Sequence, residues 1–529
     1  MSSSAPILVV GGGPAGSTVA TLLAQRGYTV FLFEQAKFPR DHIGESLLPA
    51  TLATLELSGA LDAVRRAGFV EKAGATMVWG KETEPWTWYF RETNTRFPYS
   101  YQVNRPEFDQ LLLQHAGEVG VQIHEQTRVD EVIFDSGRAI GVRIQDEPIE
   151  GSFVVDATGQ SCLISSKLQG RNWDEDFVNL AIYNYFSGAN HLIGDDRGNI
   201  LIESVPNGWL WKIPLKNNVS SVGLVADRDS TVKAIRRTNT EHVFATAREE
   251  SKIVRDLLSG SHCNSRSIVT RDWSYQSNRF AGCGWVSVGD AACFIDPLFS
   301  TGVHLAVSGA FLAAALVDTS LSDVGLVAEA TQSYEGLYRQ QYEHFRELTS
   351  LFYSGNRTVD SYFWESRRIT NHENYAPREA FIRTVSGQNV AGYERSVLHH
   401  AATPDKFDEE LRKFDVGLNR RRVELNNANL LESTVVCIAG VKVASSVVLD
   451  GARFSRSKVI RGEDRVDLAV SDFVAEVVQY CAVPRTVSSL VQQMTVTSQS
   501  SKIVEMVTST IGLLVIDGIL ELVGSSTNN

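Results

Sequence analysis

Ile7-Leu8-Val9-Val10-Gly11-Gly12-Gly13-Pro14-Ala15-Gly16 opens the chain with an unbroken apolar run and then glycines at GxGxxG spacing. The run reads as a strand buried on both faces, the habit of a parallel sheet. Gly11 permits the tight turn, Gly13 and Ala15 bring backbone close to a pyrophosphate, and Gly16 allows close helix–strand packing. A helical pattern follows from Ser17 to Arg26, and a second strand, Tyr28 to Phe33, ends at Glu34. That carboxylate is placed to accept hydrogen bonds from a ribose hydroxyl. A lone GxGxxG is weak, and a ligand-free glycine-rich turn is the alternative. Strand, helix, strand and acid in register predict an α/β dinucleotide-binding domain.

Bulk properties bound the rest. With 529 residues, 43% hydrophobic and 21% charged, the chain has room for one large α/β core and a second module. A net charge of −12 makes nucleic acid and anionic membranes poor partners. Six scattered cysteines form no CxxC pair, so no metal site or disulfide framework is read, and a reducing cytoplasm is expected. The first strand starts too early to leave room for a signal peptide. The apolar stretch Ile511 to Val523 is too short to span a bilayer and reads as a buried element.

Two later strands end in acids. Phe153-Val154-Val155-Asp156-Ala157-Thr158-Gly159 closes on Asp-Ala-Thr-Gly, and Trp285-Val286-Ser287-Val288-Gly289-Asp290 closes on Gly-Asp before a helix. With the N-terminal glycines, this trio resembles the flavoprotein monooxygenases typified by para-hydroxybenzoate hydroxylase. The resemblance implies FAD, held by Gly11, Gly13, Ala15, Gly16, Glu34, Asp156, Gly159, Asp290, Pro297 and Gly302. Arg105 would lie along the cofactor, its alternative being a helix-start surface arginine. It also implies a substrate-side sheet over about 75–110 and 170–280.

Trp209-x-Trp211-x-Ile213-Pro214, Lys72 and the run Asp296 to Gly302 together resemble the flavin-dependent halogenases, and most closely those acting on tyrosine-like or hydroxyphenylglycine residues in nonribosomal peptide assembly. Trp209-x-Trp211-x-Ile213-Pro214 looks like the halogenase signature, whose indoles wall off the flavin, although related prenyl reductases carry a similar stretch. Lys72 stands where the phenol- and carrier-linked members keep an essential lysine, and it is expected to begin a strand running to Trp79-Gly80. Asp296-Pro297-Leu298-Phe299-Ser300-Thr301-Gly302 offers backbone amides at a helix start, so Ser300, Thr301 and Gly302 are the implied chloride site. Phe299 departs from the tryptophan-acting members, which carry glutamate there. Ile43-Gly44-Glu45-Ser46-Leu47 and Tyr101-Gln102-Val103 also match the group. Implied with these are O2, reduced FAD from a separate NADH-dependent reductase, and a peptidyl carrier protein bearing the substrate. The alternatives are a flavin hydroxylase or prenyl reductase, or a non-catalytic FAD-binding scaffold.

Residues 1–370 therefore read as the FAD-binding core, with Phe299, Tyr353, Phe363 and Trp364 as aromatic candidates for a substrate pocket. Residues 371–529 read as a mostly helical region. Two short helices are expected around Pro484, with a helix and a hairpin-like stretch turning at Gly518, and a small winged-helix-like module from about 440.

Overall fold

The computed structural model describes residues 5–79, 85–168, 170–355, 420–426, 428–462, 467–497 and 502–523. The chain packs into two compact units, Met1–Asn389 with Gly451–Arg453, and Val390–Asp450 with Phe454–Asn529. Phe363 and Trp364 lie outside the described residues.

The opening strand, Ile7–Val10, is central in a six-stranded sheet, paired in parallel with Val30–Phe33 on one side and Phe153–Asp156 on the other. Phe153–Asp156 in turn pairs in parallel with Trp285–Ser287. The three strands whose ends carry the glycine turn, the Asp-Ala-Thr-Gly turn and the Gly-Asp turn are thus adjacent. Their C-terminal ends open on one crevice, where open α/β sheets bind ligands. Helix Pro14–Gln25 follows the first strand, and its face is buried against helix Gly302–Ser322. The latter is long and apolar enough to cross a bilayer, but 72% of its apolar window is buried inside the protein, the packing of a core helix.

The second sheet has nine strands and is mostly antiparallel. Its strands lie at Gly74–Val78, Trp86–Tyr89, Arg171–Ser187, Ile200–Val205, Gly208–Leu215, Val219–Asp227, His262–Cys263, Ile268–Ser277 and Cys293–Phe294. The long strands alternate: on Gly208–Leu215, Trp209, Trp211 and Ile213 share one face and Leu210 and Lys212 the other. Helix Val327–Gly355 brings Tyr334, Tyr338 and Tyr342 into the core.

In the C-terminal unit, helices Asp472–Tyr480 and Val487–Thr497 flank Pro484, and helix Ile503–Ile516 ends before Gly518, whose φ is +62°. The stretch after that turn does not fold back on itself. Leu520–Val523 pairs antiparallel with Thr434–Cys437 instead. The strand Lys442–Asp450 and the part of strand Arg453–Arg461 from Phe454 onward share the unit with the helices.

Candidate active site

A cavity of about 780 Å³ runs along the C-terminal ends of the parallel strands. That is at the large end for a small-molecule site and suits an extended ligand. Gly11, Gly13, Pro14 and Ala15 line it at one end, with Glu34 and Arg40 beside them. The cradle cannot carry side chains: a Cβ on Gly11, where φ is +106°, would sit 2.2 Å from Ala157 O. A Cβ on Gly16 would sit 1.8 Å from Gly11 O, so this glycine serves packing and does not itself line the cavity. Glu34 is held by two backbone amides, Gly12 N to Oε2 and Ala36 N to Oε1, both at 2.7 Å. Each oxygen keeps a second lone pair for a ribose.

Ala157, Thr158 and Gly159 line the cavity, but Asp156 does not. Its carboxylate accepts from Thr158 N, Thr158 Oγ1 and Ile164 N, which fixes the turn that presents the next three residues. Asp156 is therefore a positioning residue rather than a ligand. Asp290 does line the cavity, and burial raises its carboxyl pKa to about 6. Arg105 is also on the wall, pinned by Nε and Nη2 to Asp109 and by Nη1 to the carbonyls of Ile43 and Gly44. These residues fit a flavin dinucleotide: backbone at the phosphates, an acid at the ribose and a long crevice between.

Past Asp290, the wall continues through Pro297, Ser300, Thr301, Gly302 and Val303. Ser300 takes a left-handed conformation (φ +59°), and helix Gly302–Ser322 begins two residues on. Its first N–H groups lack intrahelical acceptors and form the positive end of the helix. The Thr301 hydroxyl is buried without a partner, and a Cβ on Gly302 would meet only open space. This is the chemistry of a small-anion site.

Trp209, Trp211 and Ile213 close the far end together with Ala181, Tyr183 and Ile200. Pro214 pairs with Ser220 in the sheet and is not on the wall. Both indoles are locked. Trp209 Nε1 donates to the Tyr353 hydroxyl at 2.7 Å, which donates to Asp296 Oδ2 at 2.7 Å, and Trp211 Nε1 donates to Ser221 Oγ at 3.2 Å. Trp211 lies over Gly223, whose Cβ would fall 2.2 Å from the ring. Sequence reading missed this glycine, since only the cross-strand register pairs it with Trp211. Phe299 and Tyr353 pack in one cluster with the tryptophans and are not among the residues lining this cavity. Their rings fill the space between the sheet and helix Val327–Gly355.

Lys72 is 1% exposed. It ends a short strand, Val70–Lys72, paired with Ser100–Gln102, and a separate strand, Gly74–Val78, joins the large sheet. The single strand expected from Lys72 to Trp79 thus breaks at Ala73. Gly74 N turns to Asn199 Oδ1, and a Cβ on Gly74 would meet Trp88 O at 1.9 Å. The Lys72 amine donates to Leu47 O at 3.1 Å and lies 5.4 Å from the Phe90 ring centre. Burial lowers its pKa to about 7. Glu71 beside it is exposed. Glu45, which sequence reading noted only as part of a matching segment, is a buried cavity-wall carboxyl whose pKa burial raises to about 7.

The family model described as tryptophan halogenase matches residues 6–97 and 90–402. The tryptophan 2-halogenase of Chondromyces crocatus is 36% identical over 379 residues, 70% of this chain and 72% of that protein. The chain is a flavin-dependent halogenase of that family. The halogenase is also 29% identical over 389 residues to the 1H-pyrrole-2-carbonyl-[peptidyl-carrier protein] chlorinase of Pseudomonas fluorescens, covering 68% of this chain and 86% of that one. Among solved structures, it superposes on the myxobacterial chondrochloren halogenase CndH with a TM-score of 0.67 at 34% identity, over 77% and 95% of the two chains. On the flavin-dependent halogenase CmlS the TM-score is 0.75 at 28% identity, over 99% and 96%.

Proposed function

We propose that this halogenase installs chlorine on an electron-rich phenol of tyrosyl type, presented by a peptidyl carrier protein, with Lys72 receiving and delivering the halogen. The observation that carries this reading is the Lys72 amine. It is buried, has one carbonyl acceptor and has its pKa lowered to about 7, so a large share is neutral near that pH. Only the neutral amine has the lone pair that attacks chlorine.

Reduced FAD bound in the cavity, with O2 and chloride, supplies hypohalous acid. Gly11, Gly13, Ala15, Glu34, Arg105 and Asp290 would hold the cofactor, and Ser300, Thr301 and Gly302 the chloride. Trp209, Trp211 and Ile213 keep substrate away from that end. At Lys72, nitrogen bonds to chlorine, the O–Cl bond breaks, and the amine proton leaves with oxygen as water. The ring carbon of the substrate then takes chlorine from nitrogen, nitrogen recovers its electron pair, and the ring proton is lost. A phenol oxygen stabilises the cationic ring, most strongly at the ortho position.

Phe299, where the tryptophan-acting members carry glutamate, favours phenol. Similarity to the pyrrolyl-carrier chlorinase favours a tethered substrate. A second reading, an indole substrate, is favoured by the 36% identical tryptophan 2-halogenase. Intact mass after incubation with reduced FAD and chloride, using free tyrosine, carrier-loaded tyrosine and tryptophan, decides between them. Chlorination of carrier-loaded tyrosine alone is expected, and chlorinated tryptophan in its place would overturn the phenol assignment. Bromide in parallel assays tests the halide.

A further inference from the structure

Lys72 does not line the flavin cavity, yet a band of buried polar side chains extends from the cavity wall to it. Segment 45–47 runs antiparallel to 101–103: Leu47 N donates to Tyr101 O, Val103 N donates to Glu45 O, and Ser46 bridges Gln102. On its other edge, Ser100–Gln102 pairs with Val70–Lys72, placing Lys72 opposite Ser100. Residues directly opposite, and residues two apart on one strand, share a face. Ser46, Gln102, Ser100 and Lys72 therefore lie on the same face of one ribbon. Directly opposed pairs there sit about 5 Å apart at Cβ. Ser46 is on the cavity wall, so this face starts at the cavity and ends at the amine.

All four side chains are at least nine-tenths buried. Among the described residues, Ser46 Oγ, Ser100 Oγ and Gln102 Oε1 have no hydrogen-bond partner. Three such atoms on one ribbon face are unusual, because buried polar atoms in native proteins are normally satisfied by protein, water or ligand. Gln102 is also oriented: its Nε2 donates to Gly198 O at 3.1 Å, which leaves Oε1 as a fixed acceptor.

We propose that Gln102, with Ser46 and Ser100, forms the station that holds hypohalous acid beside Lys72 and orients it for transfer. This rests on the lysine-relay reading above and adds residues to it. The Gln102 oxygen accepts the O–H of the acid, which turns the chlorine away from the amide toward the amine. The two serine hydroxyls donate to the oxygen. As nitrogen bonds chlorine and the O–Cl bond breaks, the electron pair passes to that oxygen, where the serine donors stabilise it until the amine proton converts it to water. An apolar face here would leave the oxidant free to diffuse back to the cavity and out.

The test compares Gln102→Leu, Ser100→Ala and Lys72→Ala with the wild type, using reduced FAD, chloride and the substrate identified above. Substrate chlorination is read beside capture of released hypohalous acid by a small chlorinatable scavenger in solution. FAD affinity and the rate of flavin reoxidation are measured for each. The station predicts that Gln102→Leu chlorinates substrate at least tenfold more slowly and releases correspondingly more oxidant to the scavenger. FAD affinity and reoxidation should be unchanged, and Ser100→Ala should show a smaller shift of the same kind. Ser100→Ala keeps the Gln102–Gly198 bond and serves if Gln102→Leu misfolds. Unchanged partition between substrate and scavenger in both folded variants overturns the station while leaving Lys72 in place. Retained chlorination in Lys72→Ala would instead remove the relay itself.

Discussion

Lys72, Lys212 and Glu45 are buried groups with shifted pKa values, and each answers pH differently. Lys72 has its pKa lowered to about 7, so halogen transfer should rise with pH through that value as the amine loses its proton. Stability follows by linkage. Between about 7 and 10.5 the unfolded chain keeps a proton on this lysine that the folded chain lacks, so the cost of burying Lys72 is full below about 7 and fades as pH rises through that window. Glu45 works the other way. Its folded pKa is raised from 4.5 to about 7, so the folded state holds the extra proton in that window and stability declines as pH rises through it. Glu45→Gln should flatten that decline, by at most about 3 kcal/mol, in urea titrations from pH 4.5 to 7. Lys72→Met should abolish halogenation and raise stability by about 1–2 kcal/mol, because a buried amine without a charge partner is replaced by an apolar chain. Lys212 is the control. It too is buried, with its pKa lowered to about 8, but it sits on the face of Gly208–Leu215 opposite the tryptophans. Lys212→Met should leave halogenation intact.

At the level of elements, the strands carry the site by register. Gly208–Leu215 and Val219–Asp227 pair so that Gly223 lies under Trp211, and the ring occupies the space a Cβ would take. Gly223→Ala should push the indole off its bond to Ser221 and into the cavity. Overpacking of this kind costs about 1–3 kcal/mol, and FAD affinity should fall with it. Equilibrium titration with FAD and thermal melting check both outcomes, and a melting curve and affinity like those of the wild type would show that Trp211 has room to move. The glycine turn was readable beforehand because its chemistry is local: Gly11 to Glu34 lie within one strand–helix–strand unit. The Lys72 strand was misread because its termination at Ala73 depends on Asn199 and Trp88, more than ten residues away in sequence.

For the molecule as a whole, the two sheets divide the labour, one presenting the dinucleotide cradle and the other the aromatic wall. With reduced FAD expected from a separate flavin reductase, NADH and FAD alone should give no NADH oxidation and no chlorinated product. Chemically reduced FAD, or an added flavin reductase, should restore product formation, as followed at 340 nm and by mass. Sequence alone determined the dinucleotide fold and the family, because each motif that carries them is written in residues close together along the chain. Tertiary structure decided the rest. It separated Asp156, a residue that shapes a turn, from Asp290, which faces the cavity, and it packed Phe299 and Tyr353 in one cluster with the tryptophans. It also buried Lys72 against a face of unpaired hydroxyl and amide groups. Burial and facing depend on which distant strands pair and in what register, and that is fixed only when the sheets pack.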